Sequence, residues 1–226
     1  RHGEDGGKWK RFHYHSWTVD ERGLNDAWSL MYWGMGLCND PIENIEKRDI
    51  AMMGITQEEK NAYIAELKLL RAFHYLKLMD LFGNIPVVTK VGEPAKPETL
   101  PRIEVFNFIE KEIKENIDKA PKLSRAMLGR MSQAGAYAML VELYLNAEVW
   151  TGTSRWDDCI AAADQLISGQ AGGLNGALAL DPNISDQFGP QNDLSKEAIF
   201  SIAYDYKVAN FAPSWPSEFF HFKQQE

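Results

Sequence analysis

Two segments of this chain gather side chains with recognisable chemistry. The first, KWKRFHYHSW (Lys8 to Trp17), places Trp9, Tyr14, His15 and Trp17 close together, with Phe12 and His13 among them. The second, FAPSWPSEFFHF (Phe211 to Phe222), carries Trp215 beside Phe219 and Phe220. Flat aromatic faces accept the C–H face of a sugar ring, while the ring hydroxyls need polar neighbours, and His13, His15 and Ser16 supply these in the first segment. Trp9, Tyr14, His15, Trp17 and Trp215 are therefore the candidate ligand-binding residues. The alternative is plain packing of these loops on a scaffold, because large aromatic side chains are usually mostly buried.

Other chemistry finds less support. His13 and His15 could face one side of an extended segment as metal ligands, with Asp20 as a loose third, but such a set is incomplete. The stretch DPNISD (Asp181 to Asp186) alternates oxygen-bearing side chains as a calcium loop does. Its sixth position is Asp186 where glycine is needed and its twelfth is Asn192 where a glutamate is needed, so a solvated loop is expected. No GxSxG, P-loop, glycine-rich dinucleotide turn or HExxH occurs, and nothing in the sequence argues for catalysis or for a cofactor.

Composition narrows the class of partner. The 226 residues carry a net charge of −8, with 45% hydrophobic residues. That balance is globular, and an acidic chain without a Lys/Arg run does not suit nucleic acid. No stretch approaches the ~18 uninterrupted apolar residues of a membrane span. The chain opens on Arg1-His2-Gly3, without a signal-peptide pattern. Cys38 and Cys159 both fall on helical patterns and are expected to be free thiols.

The elements that must position these residues read as helices. Residues 1–22 read as an aromatic loop, 23–170 as a helical scaffold and 171–226 as a loop-rich tail. Leu24 to Cys38 has Trp28, Tyr32 and Met35 at helical spacing and is expected to stop at Asn39-Asp40-Pro41, with a short helical piece around Ile42 to Lys47. Gly34 and Gly36 cost that helix about 1 kcal/mol each, which predicts a close neighbour.

Thr56 to Glu59 has capping-box spacing at the head of a helix running from Glu58 to Phe82. That helix has two apolar stripes (Tyr63, Leu67, Leu70, His74, Leu78, Leu81 and Leu69, Ala72, Leu76, Met79), so it packs on both sides. Arg71 and Glu66 on it require partners, because a buried charge is costly unless paired. Gly83 and Pro86 end it, and a proline-bearing loop leads to Pro101.

Val105 to Ile117 is amphipathic. Ser132 caps a small-residue helix from Gln133 to Asn146. Trp156, Ile160, Ala163 and Ile167 form the predicted contact stripe of its partner, and Ala198 to Tyr204 reads as a strand. The whole is mostly α, with tetratricopeptide-like antiparallel helical hairpins, long irregular loops and little β.

The segment AELKLLRAFHYLKLMDLFGNIPVV resembles the core helix of the SusD/RagB family of outer-membrane nutrient-binding lipoproteins. Ala65, Glu66, Arg71, Ala72, Tyr75, Leu78, Leu81, Phe82, Gly83 and Pro86 carry the match. WSLMYWGMGLCN (Trp28 to Asn39), Gly129-Arg130-Met131-Ser132 with Ala136, Leu140, Leu143 and Tyr144, Trp156 to Asp164, and Glu197 to Ser201 agree with further family motifs in order. The resemblance covers about Trp17 to Tyr206.

It implies a single SusD-like helical domain that binds a nutrient without catalysis. The nutrient is a glycan, or a peptide as in RagB-like members, and it is passed at the cell surface to a SusC-type TonB-dependent outer-membrane transporter. The family's lipidated N-terminal cysteine, its first helices and its large C-terminal portion have no counterpart here. The chain is therefore expected to be a fragment or a truncated member, with any membrane attachment through an anchor it lacks. No motif transfers a ligand-binding residue, so the choice of site rests on chemistry alone. A general tetratricopeptide-like protein-interaction scaffold is the rival reading.

Overall fold

The computed structural model describes residues 6–92, 96–189 and 191–202. Among these the order is α1 (Lys8–His13), α2 (Arg22–Lys47), α3 (Ile50–Met53), α4 (Gln57–Phe82), β1 (Ile85–Pro86), β2 (Thr99–Leu100), α5 (Arg102–Asn116), α6 (Gln133–Leu145), α7 (Ala147–Thr151) and α8 (Trp156–Ile167), with short 3-10 turns between and after. β1 and β2 form a small antiparallel pair. The molecule is mostly α, as expected from the sequence.

α4 is the central helix. Thr56 Oγ1 accepts the Glu59 amide at 3.1 Å, and the Glu59 carboxylate accepts the Thr56 amide at 2.8 Å, closing the predicted capping box. The stripe Leu69, Ala72, Leu76 and Met79 is wholly buried, together with Ala65, Tyr75 and Leu78. Of the other stripe only Leu78 is buried; Leu67, Leu70 and His74 are half-buried, and Tyr63 and Leu81 at its ends are exposed. α2 packs on one side of α4 and α5 on the other.

Gly34 makes the close approach of α2 possible. A Cβ there would lie 2.6 Å from the His74 ring on α4. Gly36, by contrast, has nothing within 4 Å of a Cβ position, so only one of the two glycines answers to a neighbour.

α2 does not stop at Asn39-Asp40-Pro41. It continues through Pro41 to Lys47 as one helix. Proline in a helix interior removes a hydrogen bond and costs ~3 kcal/mol, but the residues around it are strongly held. Cys38, Asn39 and Ile42 are buried, and the Asn39 amide donates to the Val88 carbonyl at 3.1 Å. Tertiary contacts on both sides of Pro41 outweigh its local preference.

Arg71 answers the question its position raises. Its guanidinium makes a two-pronged bond to Glu112 on α5, at 2.7 and 2.9 Å, and also donates to Asn39 Oδ1 and the Thr89 carbonyl. Four segments thus meet at one buried cation. Glu66 pairs instead with Arg130, near the surface.

α5 buries Val105, Phe106, Ile109 and Ile113 as predicted. On its flank Glu110 accepts from Lys114, Tyr144 and Arg155, tying α5 to α6 and to the head of α8. Ser132 caps α6 by accepting from the Gly135 amide. Both cysteines are free thiols.

Two expectations fail beyond α6. In α8 the face turned to the scaffold is Cys159, Ala162 and Leu166, while Trp156, Ile160 and Ile167 point outward. Arg155 at the head of α8 pairs with Glu110 on α5, and the face with Cys159 and Ala162 packs against small-residue α6. Ala198 to Ile202 forms no strand; Phe200 packs edge-on against Phe73 of α4 instead. The remainder of that predicted strand, Ala203 and Tyr204, lies outside the described residues.

Candidate functional site

The segment before α2 is not all loop. Lys8–His13 forms the short helix α1, and it is held by charge. The Arg11 guanidinium donates to both oxygens of Glu21, at 2.6 and 3.1 Å, and to the Gly6 carbonyl at 2.7 Å. Glu21 is buried and is the residue that precedes the first turn of α2. Asn25, one turn into α2, donates to the Val19 and Glu21 carbonyls. The aromatic segment is therefore clamped at both of its ends to the head of a long helix.

This clamp assembles a line of rings. Trp9 and Phe12 have centroids 6.3 Å apart, Phe12 and Trp17 are 5.9 Å apart, and Trp17 and His15 are 5.2 Å apart. Phe12 leans on the first turn of α2, where its ring tip would be 3.1 Å from a Cβ at Gly23. It is the partly buried middle of a row whose outer members are open: Trp9 is 47% exposed and Trp17 40%. The Lys8 ammonium sits 4.3 Å from the Trp9 centroid, a cation on a ring face.

His15 is the single non-glycine residue with positive φ among the described residues, at +52°. The left-handed conformation costs a non-glycine residue roughly 1–2 kcal/mol. Here it lets the chain turn back after α1, with the Ser16 amide donating to the Arg11 carbonyl at 2.9 Å, and it sets the His15 ring beside Trp17. Backbone strain of this kind concentrates where a surface has to be held in a particular shape.

Of the sequence candidates, Trp9, His15 and Trp17 are thus brought together through Phe12. Tyr14 is not in that row: it packs edge-on against His13 at 4.8 Å and is 64% exposed. Trp215 lies outside the described residues. His13 and His15 turn to different aromatic partners, and among the described residues no group of three or more His, Cys, Asp or Glu is placed to hold a metal ion. In the tail, Asp181 accepts from Ser195 and from the Lys196 amide, so its carboxylate ties the loop together; these hydrogen bonds hold it below the usual carboxylate range.

Sequence reasoning missed Arg11 and Glu21. Their spacing matches no helical pair, and only the fold brings α1 against the start of α2. What the arrangement offers chemically is a shallow aromatic strip with an imidazole and an ammonium group at its edge, a surface for stacking and hydrogen bonding.

A model of the SusD-like family, described as starch-binding and associating with the outer membrane, matches residues 4–145. The chain belongs to the SusD family. The starch-binding protein SusD of Bacteroides thetaiotaomicron is 30% identical over 149 residues, covering 66% of this chain and 26% of the relative. This chain therefore spans about a quarter of that relative's length. A SusD superfamily protein from Parabacteroides distasonis superposes with a TM-score of 0.78 at 19% identity, covering 92% of this chain and 43% of the other.

A surface glycan-binding protein A from Bacteroides thetaiotaomicron, solved in complex with laminarihexaose, superposes with a TM-score of 0.65 at 23% identity, over 79% of this chain and 35% of the other. At such identities the superpositions establish a shared fold. The SusD-family match includes the aromatic row and every helix from α1 to α6.

Proposed function

We propose that this chain is the helical part of a non-catalytic, cell-surface glycan-binding protein, and that the row Trp9–Phe12–Trp17–His15 is a surface on which sugar rings stack. The observation that carries this reading is the row itself: a strained, ion-clamped segment holds two half-open indoles at the outside of a SusD-family scaffold. The exposed part of each indole is area still available for a sugar ring to stack on. The naming of relatives as starch-binding and of a structural neighbour as bound to laminarihexaose supports a glycan over other cargo.

In the assembled system the protein delivers its glycan to a SusC-type TonB-dependent transporter at the outer membrane. Recovery of such a transporter with the full-length protein from detergent-solubilised outer membranes tests that part.

Electrophoresis through native gels cast with starch or laminarin tests the binding. Retardation by at least one of them, with no reducing sugar released, is the expected result. Trp17→Ala is expected to weaken retardation by about tenfold, equivalent to ~1.4 kcal/mol of lost stacking, with the helical circular-dichroism signal unchanged. A Trp17→Ala protein that binds as the parent does, or that unfolds, contradicts the assignment.

A further inference from the structure

The outer face of α8 has a different chemistry from the aromatic row. Trp156, Ile160 and Ile167 are all exposed on it, with half-buried Ala163 between them. Steps of four, three and four residues keep the four side chains within about 60° of the helix circumference, so they form one straight stripe. From Trp156 to Ile167 that stripe runs for about 16 Å, three turns of helix. The side that packs on α6 is a different one, where Ala162 is buried and the Cys159 thiol donates to the Val141 carbonyl.

The ionised groups beside the stripe carry one sign. Asp157 and Asp164 lie on the same flank, one heptad and about 10 Å apart along the axis, and both are exposed. Among the described residues neither makes an ion pair; the carboxylate of α8 that does is Asp158, with Arg155. Arg155 is further neutralised by Glu110. From Trp156 to Ser195 the sequence contains no Lys or Arg.

The stability of α8 itself accounts for only one of these two acids. Asp157 sits in the first turn, where the positive end of the helix dipole favours a carboxylate. Asp164 sits in the last turn, where the negative end disfavours one and no basic residue is present to offset it.

A cationic partner helix supplies what is missing. When two helices pack along a heptad stripe, the residues flanking the seam of one meet those flanking the seam of the other. Lys or Arg residues seven positions apart on the partner would then meet Asp157 and Asp164, while its apolar residues cover Ile160 and Ile167. A second copy of α8 fits less well. Antiparallel pairing sets the two acidic flanks against each other, and parallel pairing sets them against the flank of Cys159 and Leu166, which offers no cation.

We infer that the outer face of α8 is a docking surface for a basic amphipathic helix of a partner protein. Its apolar residues lie on the Trp156–Ile160–Ile167 stripe and its Lys or Arg residues beside Asp157 and Asp164. The inference stands independently of the glycan reading.

The test titrates the full 226-residue chain into a fluorescent helical peptide of about 21 residues, three heptads, and reads anisotropy. The peptide has Leu at both core positions of each heptad and Lys on both flanks; a twin carries Glu in place of Lys. The Lys peptide is expected to bind saturably, one per chain, and about tenfold more tightly than the twin. It is also expected to suppress any concentration-dependent light scattering of the chain. Ile160→Lys is expected to abolish this binding with the helical circular-dichroism signal unchanged. Asp157→Lys with Asp164→Lys is expected to reverse the preference between the peptides, although the chain, at −8 before the two changes, still carries −4 after them. Asp164→Lys alone is expected to raise the thermal midpoint, because it puts a cation in the last turn.

Equal binding of the two peptides, or binding of neither, overturns the inference. So does a preference for the Lys peptide that survives both Asp→Lys changes, because attraction to the overall charge then explains it. Light scattering that Ile160→Lys removes and the Lys peptide leaves in place assigns the face to a second copy instead.

Discussion

Arg71 and Glu112 form a buried pair with side-chain exposures of 5% and 9%, extended by Asn39 and the Thr89 carbonyl. Removing one member of such a pair leaves a charge without compensation, at a cost of about 3–5 kcal/mol. Glu112→Ala is therefore expected to lower unfolding free energy by that amount in urea titrations, and Arg71→Met in the same chain to restore much of it. Glu110 adds a pH-dependent contribution. Burial pushes its carboxyl up, but the hydrogen bonds from Arg155, Lys114 and Tyr144 outweigh that and hold it at about 2, against 4.5 when unfolded.

A depressed carboxylate stabilises fully above its unfolded value, and that contribution is lost as pH falls from about 4.5 towards 2. The parent should lose urea resistance across that window, and Glu110→Gln should show a shallower loss. Equal slopes would place the acid sensitivity elsewhere.

At the scale of elements, Gly34 permits the close α2–α4 contact, and Gly36 takes no part in it. Gly34→Ala gains about 1 kcal/mol of helix propensity but drives a methyl into the packed His74 ring, an overpacking that costs roughly 1–3 kcal/mol. A lower thermal midpoint is expected. Gly36→Ala meets no atom, so the propensity gain stands alone and the midpoint should rise. Opposite signs from two glycines two positions apart are the signature of this packing; equal signs would mean that His74 yields.

α8 makes a related point about rotation. Its apolar residues occupy two adjacent faces, and the one buried is the one that packs on α6.

The face left outside by that packing matters to the whole molecule. Trp156, Ile160 and Ile167 are 48%, 60% and 78% exposed, and Val149 in neighbouring α7 is 82% exposed. Contiguous apolar patches beyond a few hundred Å² are uncommon on monomers and recruit partners. The 226-residue chain by itself is expected to self-associate with rising concentration, as read by light scattering, and the double variant Ile160→Lys, Ile167→Lys to suppress this. A monodisperse parent at high concentration would refute the expectation. The net charge of −8 opposes association only at low salt, because screening acts within about 10 Å at 0.1 M.

Local signals determined much of this protein. The α4 capping box, the buried stripe of that helix from Leu69 to Met79, the Ser132 cap and the α5 face were all legible, because each depends on residues within a turn or two of one another. So was the aromatic content of the N-terminal segment, and the family motifs in order. Only the tertiary structure decided the rest.

Pro41 stays inside α2 because Asn39 and Ile42 are held by distant segments. Arg71 finds Glu112 across 41 positions of sequence. Arg11 and Glu21 clamp the aromatic row, which leaves out Tyr14 and includes Phe12. α8 turns its second apolar face inward. In each case the deciding interaction is an ion pair, a hydrogen bond or a packing contact between residues from different elements, and no periodicity within one element encodes it.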